Sequence, residues 1–194
     1  VRQYVPCSRI MAVVKADAYG HGLLHTASAL KDVDGFALLE LDAAISLRDA
    51  GYQQPILLLE GFFSTEELAL FEQYRLSAVI HHSEQIAMLS DSKHHNLDLF
   101  LKINTGMNRL GLAPEQFPQI MKALTDHPGI DSITLMTHFA SADDPLEEDE
   151  VFQQLQYFEA ITQNHKYPHS LANSAAIIRY PVTHADWVRP GDTV

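Results

Sequence analysis

Cysteine is nearly missing from this 194-residue chain: Cys7 stands alone. No disulfide can form within it, and a reducing cytosol is the compartment that fits. Cys7 is expected to serve as a small residue near the start of the first strand, not as a nucleophile. Basic residues are scarce too, 13 Lys and Arg against 25 Asp and Glu, giving a formal net charge of −12. That balance argues against nucleic acid or an anionic membrane as the main partner. No apolar run approaches the roughly 18 residues a membrane-spanning helix needs, and no signal-peptide pattern opens the chain. The neighbouring pairs His81-His82 and His94-His95 lack the i,i+4 helical spacing that lets two histidines share a metal. No metal site is expected. Linkers and low-complexity stretches are also missing, so residues 1–194 read as one domain. The chain opens on Val1 and stops four residues after Pro190, and both ends are expected to be cut.

What the chain does hold is a repeat of apolar runs and helical patterns. The runs are Ile10–Val14, Phe36–Leu39, Ile56–Leu59, Ala78–Ile80, Leu97–Ile103, Ile133–Met136, Ser170–Ala172 and Trp187–Val188. Between them the spacing predicts helices over Leu23–Leu30, Asp42–Ala50, Thr65–Tyr74, Glu84–Leu89, Glu115–Thr125, Glu148–Asn164 and Ser174–Arg179. Ser64 and Glu67 have capping-box spacing, and Gly51 stands where a helix should stop. Val151, Leu155, Phe158 and Ile161 recur at intervals of three and four, which makes one greasy face. The acidic residues Asp143, Asp144 and Glu147 to Glu150 read as a solvated loop and a helix N-terminus. Eight alternating units with strands buried on both faces favour a (β/α)8 TIM-type barrel over an open doubly wound sheet. Intact barrels run to about 250 residues, so this one is expected to be incomplete at its ends.

The segment Ile10–Gly22 carries the strongest chemical signal. A wholly apolar run ends on Lys15 and breaks at once into a polar, glycine-bearing turn. Strand carboxyl ends are where α/β folds place their chemistry. An amine at an apolar rim loses its proton more readily than one in water, and a neutral amine is what Schiff-base chemistry needs. The plainer reading is a lysine snorkelling from a strand end. Barrels also bind phosphate with the loops after strands seven and eight. Here those loops carry Asn173-Ser174, opening a short helix, and Arg189-Pro-Gly191. By themselves these are an N-cap, a turn and an ion-pair arginine. Leu101–Gly111 feeds a strand into a glycine-bearing loop with Arg109, and His138 follows the sixth run. A solvated arginine and a structural histidine remain open for those two, and a core tyrosine for Tyr19.

The string Ala12-Val-Val-Lys-Ala-Asp-Ala-Tyr-Gly-His-Gly22 resembles the pyridoxal-phosphate lysine motif of alanine racemases, with Asp17 in place of the usual Asn. Leu101-Lys-Ile-Asn-Thr-Gly-Met-Asn-Arg-Leu-Gly111 resembles a second motif of that family, with Asn104 for the usual Asp. Ser170–Ala176 and Val188–Gly191 resemble two more, so the likeness covers roughly residues 8 to 191. It implies a cofactor, pyridoxal 5'-phosphate, on Lys15, with Lys15 also a catalytic base. It implies that Tyr19, Ser174, Gly191 and the N–H of Asp192 hold the phosphate, that Asn173 and His138 line the pocket, and that Arg189 meets the pyridine nitrogen. An aliphatic residue is usual where Asp192 stands, and a carboxylate there suits a phosphate poorly. Arg109 would contact the phenolic oxygen and help to place the substrate carboxylate, supported by Lys102, a lysine carbamylated in some members. An arginine on the ring nitrogen, where many pyridoxal enzymes use a carboxylate, cannot accept a proton, so the ring becomes a weaker electron sink. That suits an enzyme that only moves an α-proton. The implied activity is interconversion of L- and D-alanine for bacterial peptidoglycan, in a cytoplasmic homodimer. There the second base is a tyrosine of the other subunit's C-terminal β domain, which this chain lacks, so the chain alone should racemise poorly. A stand-alone pyridoxal-phosphate barrel without turnover, and a racemase of serine, lysine or other amino acids, are the alternatives.

Overall fold

Each apolar run forms a strand, and the strands close on one another. The computed structural model describes residues 1–90 and 96–191. His94, His95 and Asp192 therefore lie outside the described residues. The strands are β1 (Arg9–Val13), β2 (Gly35–Leu38), β3 (Ile56–Leu58), β4 (Ser77–Ile80), β5 (Leu97–Lys102), β6 (Ile130–Met136), β7 (His169–Asn173) and β8 (Trp187–Arg189). All neighbours pair in parallel, and β1 pairs with both β2 and β8, which closes the barrel. The expected (β/α)8 architecture is the one found.

Alternation along the strands divides the core into two layers. Met11, Ala37, Leu57, Val79, Phe100, Met136 and Trp187 fill the barrel interior. The opposite faces of the strands, among them Ile10, Phe36, Leu38 and Leu58, pack against the surrounding helices. Phe36, Phe71 and Phe158 are fully buried, and each contributes about 1.5–3 kcal/mol of transfer free energy. Arg9 lies over the Trp187 ring, 4.1 Å from its centroid, at the end of the barrel where the strands begin.

The helices are α1 (Lys15–Tyr19), α2 (Leu23–Ala29), α3 (Leu41–Asp49), α4 (Glu67–Gln73), α5 (Ser83–Ser90), α6 (Phe117–Thr125), α7 (Glu148–Thr162) and α8 (Ser174–Arg179), with short 3-10 turns at Pro114–Gln116 and Pro181–Thr183. Gly51, at φ +92°, ends α3 as expected. In α7 the buried residues include Val151, Leu155 and Phe158, while Ile161 is half-buried. Among the described residues no helix is long and apolar enough to cross a membrane.

Three expectations shift. The Ser64–Glu67 capping box does not form: α4 starts at Glu67, whose carboxylate instead accepts from the Phe63 N–H at 2.7 Å. The helix expected from Glu115 begins as a 3-10 turn, because Pro114 leads it, and becomes α-helical at Phe117. Strand β6 starts three residues before the expected Ile133, since its first turn of chain carries the exposed Asp131 and Ser132 and shows no apolar run.

Candidate active site

A cavity of about 550 Å³ opens at the carboxyl ends of the strands. Its wall includes Lys15, Tyr19, Lys102, Arg109, His138, Asn173, Ser174, Arg189 and Gly191. These are all the site residues the sequence nominates within the described range, drawn from the ends of five strands, β1, β5, β6, β7 and β8. A second cavity, about 560 Å³, opens where the strands begin, lined by Arg9, Asp98, Phe100 and Trp187 among others. It holds none of the nominated residues.

Lys15 follows β1 by two residues and heads α1, whose backbone is unusual. Ala16, Asp17, Ala18 and Tyr19 all have φ between +52° and +56°. A left-handed turn of L-residues costs about 1–2 kcal/mol per residue, so the surroundings must hold it. Asp17 does so: its carboxylate accepts from the Leu23 N–H at 2.7 Å and its carbonyl from Gly22 N–H at 2.9 Å. Asp17, which departs from the usual Asn, keeps the acceptor that this turn requires. The turn brings the Tyr19 ring beneath the Lys15 amine, 5.9 Å from nitrogen to centroid.

Tyr19 meets the loop after β8. A Cβ added to Gly191 would come closer than 3.0 Å to the Tyr19 hydroxyl oxygen. The Gly191 N–H donates to Ser174 Oγ at 2.9 Å. One phenol, one hydroxyl and one backbone amide thus gather around a position where only glycine fits. Asn173 lines the same wall, but its carboxamide oxygen caps α8 by accepting from Ala176 N–H at 3.0 Å.

Among the described residues Arg189 is the most buried charged side chain. It is 4% exposed, and among the described residues no carboxylate pairs with it. Its Nη1 donates to Ser170 Oγ at 2.6 Å, and its Nη2 to the Thr137 carbonyl at 2.7 Å and the Leu171 carbonyl at 3.2 Å. Burial lowers its pKa to about 10, which still leaves it a cation at neutral pH. A buried cation held only by neutral acceptors is costly for folding and marks a functional position.

The remaining groups answer to that cation. Burial, with Arg189 and Arg109 nearby, lowers Lys102 to about 8, while Glu60 opposes the shift. Burial, then Arg189, Lys102, Arg109 and Lys15, pushes His138 down to about 3, so its ring is neutral. Arg109 is exposed, on a loop after β5 closed by Asn104, whose Oδ1 accepts from Asn108 N–H at 3.0 Å and Gly106 N–H at 3.2 Å.

Two carboxylates join this wall that the sequence did not nominate, Glu60 and Asp143. Glu60 carried a usable signal, a charge ending the apolar run Ile56–Leu59, as Lys15 ends the first. Asp143 sits in an acidic run and is indistinguishable there from solvated neighbours. Four cations against two carboxylates leave a cavity suited to an anionic ligand.

Comparison with known proteins follows the same line. The chain matches the family described as "Alanine racemase, N-terminal domain" over residues 1–194. It is 59% identical over 192 residues to an alanine racemase of Nitrosospira multiformis, covering 98% of this chain and 54% of that protein. The crystal structure of the biosynthetic alanine racemase from Pseudomonas aeruginosa superposes with a TM-score of 0.90 at 40% identity, covering 98% of this chain and 54% of that one. A histidine racemase from Leuconostoc mesenteroides superposes with a TM-score of 0.84 at 28% identity, covering 98% and 53%. The chain spans about half the length of the curated relatives it matches. It belongs to the alanine racemase family.

Proposed function

We propose that this chain binds pyridoxal 5'-phosphate at the carboxyl-end cavity, and that the protein carrying it interconverts L- and D-alanine. The observation that carries the reading is the convergence of Lys15, Tyr19, Ser174, Gly191 and Arg189 on one cavity. These residues fit the cofactor. A lysine amine can condense with an aldehyde, the phenol, hydroxyl and amide at Gly191 suit a phosphate ester, and the buried Arg189 suits a pyridine nitrogen. When bound, the cofactor supplies an electron sink that acidifies the substrate's α-C–H bond.

Each chain residue then has a task. Lys15 would hold the cofactor through its amine, and that amine, when free, would take the α-proton on one face of the substrate. Tyr19, Ser174 and Gly191 fix the phosphate end. Arg189 would face the ring nitrogen as a hydrogen-bond donor and, remaining a cation, would have no proton vacancy to fill. That keeps the sink weak and limits the chemistry to proton movement. His138, neutral throughout the physiological range, presents a flat ring to the cofactor without exchanging protons. Arg109 takes the substrate carboxylate and the phenolic oxygen. Lys102, close enough to Arg109 and Arg189 to feel both charges, is the amine whose conversion to a carbamate would replace a cation with an anion near two guanidinium groups.

The resemblance supplies the acid for the opposite face from the C-terminal domain of a second subunit. The whole protein is thus proposed to be a cytoplasmic homodimer serving peptidoglycan synthesis, with no nucleic acid or membrane partner. The chain alone is proposed to bind cofactor and to racemise poorly. A second reading, a racemase of another amino acid, is favoured by the likeness to a histidine racemase. Exchange of the α-proton in deuterated water, followed by NMR for alanine, serine, lysine and histidine with the whole protein, tests both. Fastest exchange on alanine supports the first reading, and fastest exchange on another amino acid overturns it for the second.

A further inference from the structure

Helix α7 carries a polar residue on its buried face that the chemistry above does not use. Gln154 is 5% exposed and lies among Val151, Leu155 and Phe158. Its Oε1 accepts from the Ala140 N–H at 2.9 Å. Its Nε2 donates to the His138 carbonyl at 3.1 Å and to Thr105 Oγ1 at 3.3 Å. One carboxamide thus ties the loop after β5 to the loop after β6. Gly106, at φ +145°, lies against the Gln154 side chain so closely that a Cβ there would sit 3.2 Å from its Cγ.

The bonds continue inward with a fixed direction. The Thr137 hydroxyl donates to the Ile103 carbonyl at 3.0 Å, and a carbonyl can only accept. The Thr105 and Thr137 hydroxyls lie 2.7 Å apart, so Thr105 donates to Thr137 and itself accepts from Gln154. Each hydroxyl gives one proton and receives one. Thr137 also offers its backbone carbonyl to Arg189 Nη2 at 2.7 Å. All four side chains are buried, where a missing partner is expensive.

We propose that Gln154 is a positioning residue: its carboxamide, through Thr105 and Thr137, sets the seats of His138 and Arg189 at the cavity. A hydrophobic residue would satisfy the apolar face of α7 equally well, so packing alone does not account for an amide there. Two ends of the network need a donor and one needs an acceptor, and a glutamine carboxamide is the group that supplies both at this length.

The proposal rests on the cofactor reading only for its second readout. The first uses the cofactor-free chain: amide hydrogen exchange in Gln154→Met, an apolar change of similar length. Protection is expected to fall in both the 104–108 and 138–142 loops while helices remote from α7 keep theirs. Loss confined to one loop, or none, overturns the coupling. The second readout is affinity for added pyridoxal phosphate and the absorbance spectrum of the bound form. Gln154→Met is expected to bind at least about tenfold more weakly, one hydrogen bond's worth, with a shifted band. Wild-type affinity and spectrum in a folded Gln154→Met would overturn the proposal.

Gln154→Glu separates positioning from packing. A protonated glutamic acid donates and accepts, whereas a carboxylate only accepts. Relative to wild type at each pH, affinity is expected to recover near pH 6 and to fall near pH 8.5. Groups facing this position are Glu150 and Tyr157 on α7, Ser141, His138 and, through Thr137, Arg189. His138, held down near 3, does not titrate in that window. Equal defects at both pH values would overturn the role. If Gln154→Met does not fold, Thr105→Val carries the same two readouts, since it keeps the shape and removes the relay. Failure of wild type to take up the cofactor would sink the cofactor reading and leave the exchange result to decide this one.

Discussion

The hydroxyl of Tyr19 occupies the space that a side chain on Gly191 would need. These residues come from opposite ends of the chain, one from the left-handed turn after β1 and the other from the loop after β8. Closure of the barrel between β1 and β8 is what brings them together. Substituting Gly191→Ala should therefore push Tyr19 outward. Tyr19 is 43% exposed, so the ring has somewhere to go and stability should change by less than about 1 kcal/mol. Affinity for pyridoxal phosphate should fall by about tenfold or more, and Tyr19→Phe in the same chain should recover part of it by removing the clashing oxygen. Calorimetric titration of the single and double variants checks this, and additive losses would show that the two residues do not meet.

His138 predicts an acid limit. Its pKa falls from 6.5 to about 3 through burial and four neighbouring cations. The unfolded chain takes up a proton on this ring below about pH 6.5, and the folded chain refuses it until about pH 3. Stability is thus complete above pH 6.5 and declines as the pH falls through that window, by about 2 kcal/mol at pH 5. Urea denaturation of wild type and His138→Asn at pH 7.5 and pH 5 isolates this share from the other histidines. The variant should lose less on acidification, and parallel losses would remove His138 as the cause.

Lys102 predicts a reactive amine. At a pKa of about 8, about one fifth of it is neutral at pH 7.4, against about one in a thousand for an ordinary lysine. Only the neutral amine attacks carbon dioxide, and a carbamate here would feel the charges of Arg109 and Arg189. Carbon-13 NMR with labelled bicarbonate should show one slowly exchanging carbamate signal that vanishes in Lys102→Met. Persistence of the signal in that variant would assign it elsewhere.

Much of this architecture is legible in the sequence, because strands buried on both faces leave apolar runs and helices between them leave three-and-four spacing. The runs ending at Lys15 and Met136 located the barrel mouth directly. Other parts left no such mark. Nothing in Ala16-Asp17-Ala18-Tyr19 announces a left-handed turn, since no glycine stands at those four positions, and tertiary hydrogen bonds impose it. Glu67 bonds one residue farther upstream than a capping box requires, a choice local spacing cannot distinguish. Asp143 enters the cavity from within a run of carboxylates, and Gln154 looks like any amide on a helix. Thr137 and Ser170, which hold Arg189, become visible only when β6, β7 and β8 are placed side by side.

The most direct test is to add pyridoxal phosphate, reduce with borohydride and map the labelled peptide by mass spectrometry, with Lys15→Ala as the control. A label confined to Lys15, and lost in the variant, is the result expected if the barrel mouth is assembled as described. Label absent, or scattered over other lysines and unchanged in Lys15→Ala, would contradict the cofactor site at its center.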